Sequence, residues 1–328
     1  MQSLDLEVLE HARQWMSAGR DVWLVTVTQT FGASPRPPGS LMAMRDDGVV
    51  IGSVSGGCIE DDLVARRDQF RGSKPLLERY GITAEDARRF GLPCGGELEV
   101  VIESAVESVR LSELSAKIAA GEVFVRNLDL ETGQWQFRPA TESDTTGRTE
   151  REFACIHGPR WRLLIIGASE IARYLAEVAA TLDFQVSVCD PREEYRGVWR
   201  VPGTTFLDGM PDDAGLAFKP DGHTVVVAVS HDPKLDDMAL MEALKTRAFY
   251  VGAVGSSKTS EERRKRLLEF DVSPAQVAKL HGPVGLSIGS RTPPEIAIAI
   301  LAELVAARNG LVLTASRIAA HSMQSSAA

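Results

Sequence analysis

The second half of the chain alternates short, fully apolar runs with amphipathic stretches, and that pattern admits few folds. Leu163-Leu164-Ile165-Ile166 precedes a helical pattern over 171–182, and Gln185-Val186-Ser187-Val188-Cys189-Asp190 follows it. Thr224 to Val229, a helix over 235–245, Phe249 to Val254 and a helix over 261–270 continue the alternation. A strand that is apolar on both faces must be covered on both faces, which is the situation of a parallel sheet wrapped by crossover helices. Pro293-Pro294 then opens a last helix, Glu295 to Arg308, and Asn309-Gly310 closes it.

The first half has a different texture. Leu4, Leu6, Val8, Leu9, Ala12, Trp15 and Met16 share a helical face that ends at Ala18-Gly19. Val22 to Thr28 reads as a strand, and a Gly/Pro-dense loop runs from Phe31 to Gly39. A hairpin turns at Asp46-Asp47-Gly48. A helix follows over Ile59–Phe70, another is expected over Thr83–Phe90, and Glu97 to Glu103 alternates like a strand. Leu111 to Ala120 is helical, and Val123 to Leu130 with Gln134 to Arg138 form a second hairpin. The fold class expected is thus α/β: an N-terminal α+β domain over 1–138, and a C-terminal Rossmann-like parallel-sheet domain over 161–314. The polar, aperiodic stretch after Pro139 reads as a linker over 139–160, and 315–328 as a flexible tail.

At 328 residues the chain has room for two cores, and 44% hydrophobic with 25% charged residues is a globular composition. A formal charge of -9 argues against nucleic acid as a main partner, since such binders carry a basic surface. Asp5, Glu7, Glu10 and Arg13 interrupt the apolar positions of residues 1–20, and no apolar run could span a bilayer, so neither a signal peptide nor a membrane contact is expected. A cytoplasmic location is expected, where Cys58 and Cys94 would stay reduced.

Two elements place a cysteine beside paired glycines: Gly56-Gly57-Cys58, with Glu60, Asp61 and Asp62 after it, and Cys94-Gly95-Gly96. They read either as tight turns around buried cysteines or as one site in which thiolates meet a soft partner. Acids in the first turn limit how far a helix dipole could depress the Cys58 thiol. Gly167-Ala168-Ser169-Glu170-Ile171-Ala172 sits where a dinucleotide-binding turn would sit, with Asp190 ending the next strand. Ser169 replaces the glycine that admits pyrophosphate, and Glu170 opposes an anion there, so ordinary NAD(P) binding is not expected. Ser230-His231-Asp232 follows a buried strand, with Asp232 as a helix N-cap the competing reading. Gly252 to Lys258, before the basic run Arg263-Arg264-Lys265-Arg266, and Gly285 to Pro293, with Arg291, are further glycine-bearing strand ends. The basic run reads either as a phosphate attractor or as a solvated helix face.

The segments SVSGGCIEDD, GLPCGGELEV, SHDP, YVGAVGSSKTSEERRKRL and GLSIGSRTPPEIAIAILAEL together resemble the XdhC/CoxI family, the accessory proteins of molybdenum hydroxylases such as xanthine dehydrogenase. The resemblance covers nearly the whole chain apart from the linker and tail. It implies a chaperone or maturation factor, rather than an enzyme with its own turnover, that holds molybdenum cofactor, assists its sulfuration and hands it to a client. The cofactor would be molybdopterin or its cytosine dinucleotide form. The partners implied are a cysteine desulfurase as sulfur donor and the large subunit of an apo molybdenum hydroxylase, and a homodimer is the expected assembly. Under this resemblance Cys58 and Cys94 handle molybdenum or its sulfur. Gly56, Gly57, Gly95 and Gly96 let the cofactor approach their loops, and Gly255, Ser256, Gly289, Arg291 and Thr292 contact its phosphate or dinucleotide. The chain departs from the family where members commonly carry G-A-G-H and it carries Gly167-Ala168-Ser169-Glu170. A degenerate NAD(P)-dependent oxidoreductase and a cofactor-free scaffold are the rival expectations.

Overall fold

The computed structural model describes residues 4–31, 36–81, 96–104 and 106–311, except for the side chain of Cys58. The helix expected over Thr83–Phe90, the Cys94-Gly95 loop and the tail over 315–328 lie outside the described residues. The chain divides into two compact units that meet in sequence between Pro159 and Arg160.

The N-terminal unit is built on antiparallel pairing. A five-stranded sheet has the order β3-β2-β1-β5-β4, from β1 (Val22–Phe31), β2 (Leu41–Arg45), β3 (Val50–Gly52), β4 (Leu76–Tyr80) and β5 (Glu97–Glu103). Its two faces carry different cores because side chains alternate along each strand. Trp23, Val25, Val27, Met42 and Met44 face helix α2 (Cys58–Arg66) through Ile59 and Leu63. Leu24, Leu41, Ala43 and Val101 face α1 (Leu4–Ser17) and α3 (Ser108–Ala119). The helix expected over Ile59–Phe70 tightens into a 3-10 turn over Arg67–Phe70.

The linker expectation is corrected. Residues 139–160 hold β8 (Gly147–Arg148) and β9 (Glu152–His157). These complete a four-stranded sheet, β7-β6-β9-β8, with β6 (Phe124–Asp129) and β7 (Trp135–Pro139). Phe153 and Cys155 on β9 join the same core as α1. Strand β4 is a further addition to the expected elements: it is an edge strand whose Leu76 and Leu77 stay partly exposed.

The C-terminal unit is a six-stranded parallel sheet in the order β12-β11-β10-β13-β14-β15. Its strands are β10 (Trp161–Ile166), β11 (Phe184–Cys189), β12 (Thr205–Leu207), β13 (Thr224–Ala228), β14 (Tyr250–Ala253) and β15 (Leu280–His281). In chain order this is the doubly wound arrangement, with the order reversing between β10 and β13. Leu163, Ile165, Val225 and Val227 pack under α4 (Glu170–Thr181) and the last helix, α10 (Pro293–Arg308). Leu164, Ile166, Val226 and Ala228 pack on the opposite face, against α6 (Pro211–Phe218), α7 (Pro233–Ala243) and α8 (Ser257–Glu269). Two short helices, α5 (Glu193–Arg196) and α9 (Pro274–Val277), complete the connections. The expected Rossmann-like architecture is therefore present.

The reversal point is closed by a contact that only glycine allows. A Cβ on Gly167, at φ 97°, would lie 2.3 Å from the Ser230 Cα. Gly203 also has a positive φ, 75°, but a Cβ there would meet nothing within 4 Å. Gly203→Ala should therefore cost about 1 kcal/mol of backbone strain, and Gly167→Ala about 3 kcal/mol because the β10 and β13 ends must separate. Urea unfolding of the two variants checks this, and equal losses would refute the steric account.

Candidate functional site

In the N-terminal unit, Glu60 organises the first glycine-cysteine loop. Its Oε1 accepts from the Ser53 hydroxyl (2.7 Å) and from the N–H groups of Val54 (2.9 Å), Ser55 (2.8 Å) and Gly56 (3.0 Å). Its Oε2 accepts from the Ser55 hydroxyl and the Gly57 N–H (2.8 Å). A carboxylate one turn into α2 thus folds residues 53–57 around itself and fixes Cys58 as the first residue of the helix. Gly56 adopts φ 91°, and a Cβ on Gly56 or Gly57 would meet nothing within 4 Å. The two glycines therefore offer open space above the loop, while their N–H groups are already used.

Topology brings the end of β4 and the start of β5 to the same end of the sheet as that loop. Strand β1 runs antiparallel to β2 and β5, and β2 antiparallel to β3, so β3 exits, β4 exits and β5 begins at one end. Gly96, the last residue before β5, is buried there. The Tyr80 hydroxyl, at the end of β4, donates to Asp62 Oδ2 (3.1 Å), one helical turn after Cys58. Arg66 reaches β4 through Glu78 (3.2 Å). The helix led by Cys58 is thus tied to the strand from which the chain departs toward Cys94, which itself lies outside the described residues. The remaining cysteines, Cys155 and Cys189, are free and buried.

In the C-terminal unit the parallel strands place every βα turn at one edge, the carboxyl edge where ligands of open α/β sheets bind. Gly255 and Ser256 follow β14, and Gly289, Arg291 and Thr292 follow β15. All five are exposed. Ser256 caps α8 by accepting from the Thr259 N–H (3.1 Å). Glu295 accepts from the Arg291 (2.7 Å) and Thr292 (3.0 Å) N–H groups, so the start of α10 is capped internally. The Arg291 guanidinium has no partner among the described residues. Gly289, at φ 79°, would carry a Cβ into open space.

The other sequence candidates resolve differently. Asp232 is the N-cap of α7, accepting from the Lys234 N–H (2.9 Å). Ser230 donates to Asp236 Oδ1 (2.6 Å), so Ser230-His231-Asp232 is not a relay; His231 is exposed and holds φ 60° between its two anchored neighbours. The basic run is neither a phosphate attractor nor simply a solvated face. Arg263 is buried, donating to Asp236 (2.9 Å), Asp237 (3.1 Å) and the Val254 carbonyl (2.9 Å). Arg266 donates to Asp237 (2.7 Å), and Arg264 to the Leu280 carbonyl (3.0 Å).

Two residues carry more than sequence reasoning assigns them. For Glu60 that reasoning finds only a first-turn acid that limits the helix dipole's effect on Cys58, although S-x-S-G-G-C-x-E contains its donors. Arg192, in Asp190-Pro191-Arg192, has no motif to mark it. It forks onto Asp190, with Nε donating to Oδ1 (2.9 Å) and Nη2 to Oδ2 (2.7 Å), while the Ala168 N–H also donates to Oδ2 (2.8 Å).

Residues 163–304 match the XdhC Rossmann domain, and residues 15–81 match the XdhC and CoxI family. The chain belongs to the XdhC/CoxI family. The chain is 26% identical over 304 residues to the Escherichia coli K12 protein named molybdenum cofactor insertion chaperone PaoD, covering 92% of this chain and 88% of PaoD. It is 26% identical over 315 residues to a probable xanthine dehydrogenase subunit of Bacillus subtilis 168, covering 87% and 92%. It is 25% identical over 309 residues to YqeB of Escherichia coli K12, covering 92% of this chain but 47% of YqeB, so it spans about half of that relative's length. A Bacillus halodurans crystal structure described as a xanthine dehydrogenase shares the fold, with TM-score 0.70, 24% identity, and coverage of 96% and 98%.

Burial works against the charge on Glu60, but hydrogen bonds from Ser55, Ser53 and Gly56 outweigh it and hold the carboxyl at about 2. A folded pKa below the unfolded one stabilises above the unfolded value, near 4.5, and that contribution disappears as pH falls toward 2. Glu60→Gln should therefore lose about 2 kcal/mol at pH 7 and flatten the pH dependence of unfolding between about pH 5 and pH 2. A wild-type slope retained in the variant would contradict the assignment.

Proposed function

We propose that this XdhC/CoxI protein receives molybdenum cofactor as cargo, keeps it through replacement of a molybdenum oxo ligand by sulfur, and delivers it to a molybdenum hydroxylase. The observation that carries the reading is the Glu60-held loop: it spends the Gly56 and Gly57 N–H groups internally, leaves the space above them open, and starts α2 at Cys58. A loop so built has little to offer a phosphate and much to offer a soft ligand, since thiolate prefers molybdenum and sulfur. Family membership, and similarity to a protein named a molybdenum cofactor insertion chaperone, support the same role.

The cofactor also carries a phosphate, either alone in molybdopterin or within a cytosine dinucleotide. The carboxyl edge of the C-terminal sheet has groups suited to it: the Arg291 guanidinium, unpartnered among the described residues, exposed Gly289 and Thr292, and the Gly255-Ser256 turn. Guanidinium groups suit phosphate because they donate in a planar fork. The sulfur donor is proposed to be a cysteine desulfurase and the client the large subunit of an apo hydroxylase. An oxidoreductase that uses NAD is opposed by Asp190, whose oxygens are already filled where a free ribose diol would be held.

Purification of the full chain from cells that make molybdenum cofactor should yield protein with bound pterin and molybdenum. Cys58→Ala and Cys94→Ala should each lose most of that molybdenum and reduce maturation of a co-expressed hydroxylase on the order of tenfold, with unfolding midpoints unchanged. Pterin-free protein that still matures the client would establish the scaffold reading instead. Full cofactor loading in both variants would remove the thiols from the mechanism.

A further inference from the structure

The carboxyl edge contains a second guanidinium whose setting is more selective than that of Arg291. Asp190 directly follows β11, at the position from which an acid of a dinucleotide-binding fold usually accepts hydrogen bonds from ribose hydroxyls. Here both oxygens are filled. Oδ2 takes the Ala168 N–H (2.8 Å) and Arg192 Nη2 (2.7 Å); Oδ1 takes Arg192 Nε (2.9 Å) and the Arg192 N–H (3.1 Å). The side chain of Asp190 is fully buried, whereas that of Arg192 keeps 26% of its surface exposed.

Arg192 is fixed on two sides. The Nε–Nη2 edge is on Asp190, and the guanidinium carbon lies 4.0 Å from the centre of the Tyr195 ring. Nη1 has no hydrogen-bond partner among the described residues, so its donors are the part of the group left for a ligand. The location is the reversal point itself: the Ala168 N–H that reaches Asp190 belongs to the β10 turn, and Gly167 of that turn touches Ser230 after β13. Asp232, beyond Ser230, is near enough to favour the charge on Arg192. Glu170, the acid that would repel an anion at the start of α4, is paired with Arg173 (2.9 Å) and points to solvent, with 69% of its side chain exposed.

We propose that Arg192, held by Asp190, makes this crevice selective for a phosphate monoester over the free diol of a ribose. The carboxylate cannot accept from a diol without giving up Arg192, and breaking that pair would leave a buried charge uncompensated. A phosphate needs no such exchange, because it can accept from Nη1 while the fork stays in place. The proposal rests on the reading of the carboxyl edge as the place that holds the cargo's phosphate. Two sources share this chemistry, the terminal phosphate of molybdopterin and the 2′-phosphate of a nucleotide.

Two probe pairs test the proposal on the full chain, each differing by one phosphate. One is NADP+ against NAD+. The other is the fluorescent oxidised pterin phosphate obtained from molybdopterin, against the same pterin after phosphatase treatment. In at least one pair the phosphorylated member should bind on the order of tenfold tighter. That preference should vanish in Asp190→Asn/Arg192→Gln, which removes both charges together. Arg192→Lys, which keeps a charge beside Asp190 but loses the fork, should reduce it several-fold and serves if the double variant does not fold. Preference within the nucleotide pair alone supports the inference while counting against the cofactor reading; preference within the pterin pair supports both. Equal binding within both pairs, binding of no probe, or a preference unchanged by the variants would overturn it.

Discussion

The C-terminal domain turns on the absence of one atom. Because Gly167 has no Cβ, the end of β10 can lie against Ser230 at the end of β13, the two strands between which the sheet reverses direction. The contact is reinforced by the Ser169 hydroxyl, which donates to the Val229 carbonyl (3.0 Å) while Ser169 caps α4. Everything proposed for the carboxyl edge follows from that closure. It sets the Ala168 N–H opposite Asp190, which orders Arg192, and it anchors the strand end from which His231 projects. Ser169, unfavourable as a pyrophosphate-binding residue, is well suited instead to joining two strand ends.

Buried carboxylates recur as internal anions in both units. Glu60 gathers the N–H groups of its loop, and Asp190 gathers Ala168 and Arg192. Asp236 and Asp237 take Arg263, and Glu103 takes Arg126 (2.9 Å) and the Trp135 indole N–H (2.6 Å). Each arrangement fills donors that would otherwise seek an external anion. The consequence is subtractive. Among the described residues, the remainder that no carboxylate has claimed includes Arg291 and the Nη1 edge of Arg192.

The parallel sheet was legible because its signal is local: an apolar run of the right length is enough to mark a doubly covered strand, and the glycine-bearing turns between runs mark the edge. Strands without such runs escaped. In β9, Phe153, Cys155 and His157 point inward, but Glu152 and the polar residues before it make the segment look like linker. In β4 an edge position leaves Leu76 and Leu77 half covered, so no periodicity marks it. Pairing partners that are far away in sequence decide such strands. The same limit applied to charge. Arg263 looked like part of a solvated run because its partners, Asp236 and Asp237, lie on the preceding helix of the sheet, and only the fold brings them together.

The two units are complementary in what they lack. Among the described residues, the loop ahead of Cys58 has its own N–H groups engaged by a carboxylate and a hydroxyl, so it is poorly equipped for phosphate. The carboxyl edge has guanidinium donors, but the cysteine nearest to it in sequence, Cys189, is buried and its thiol is pushed up to about 11 by burial and by the neighbouring Asp190, so it stays protonated. Soft-metal chemistry and phosphate chemistry thus call for different surfaces. A chain that supplied both chemistries in one pocket would face a conflict, because the cations that draw in phosphate also lower thiol pKa and sharpen reactivity toward oxidants. The Glu60-held loop, with a carboxylate and no guanidinium among its hydrogen-bond partners in the described residues, is free of that conflict.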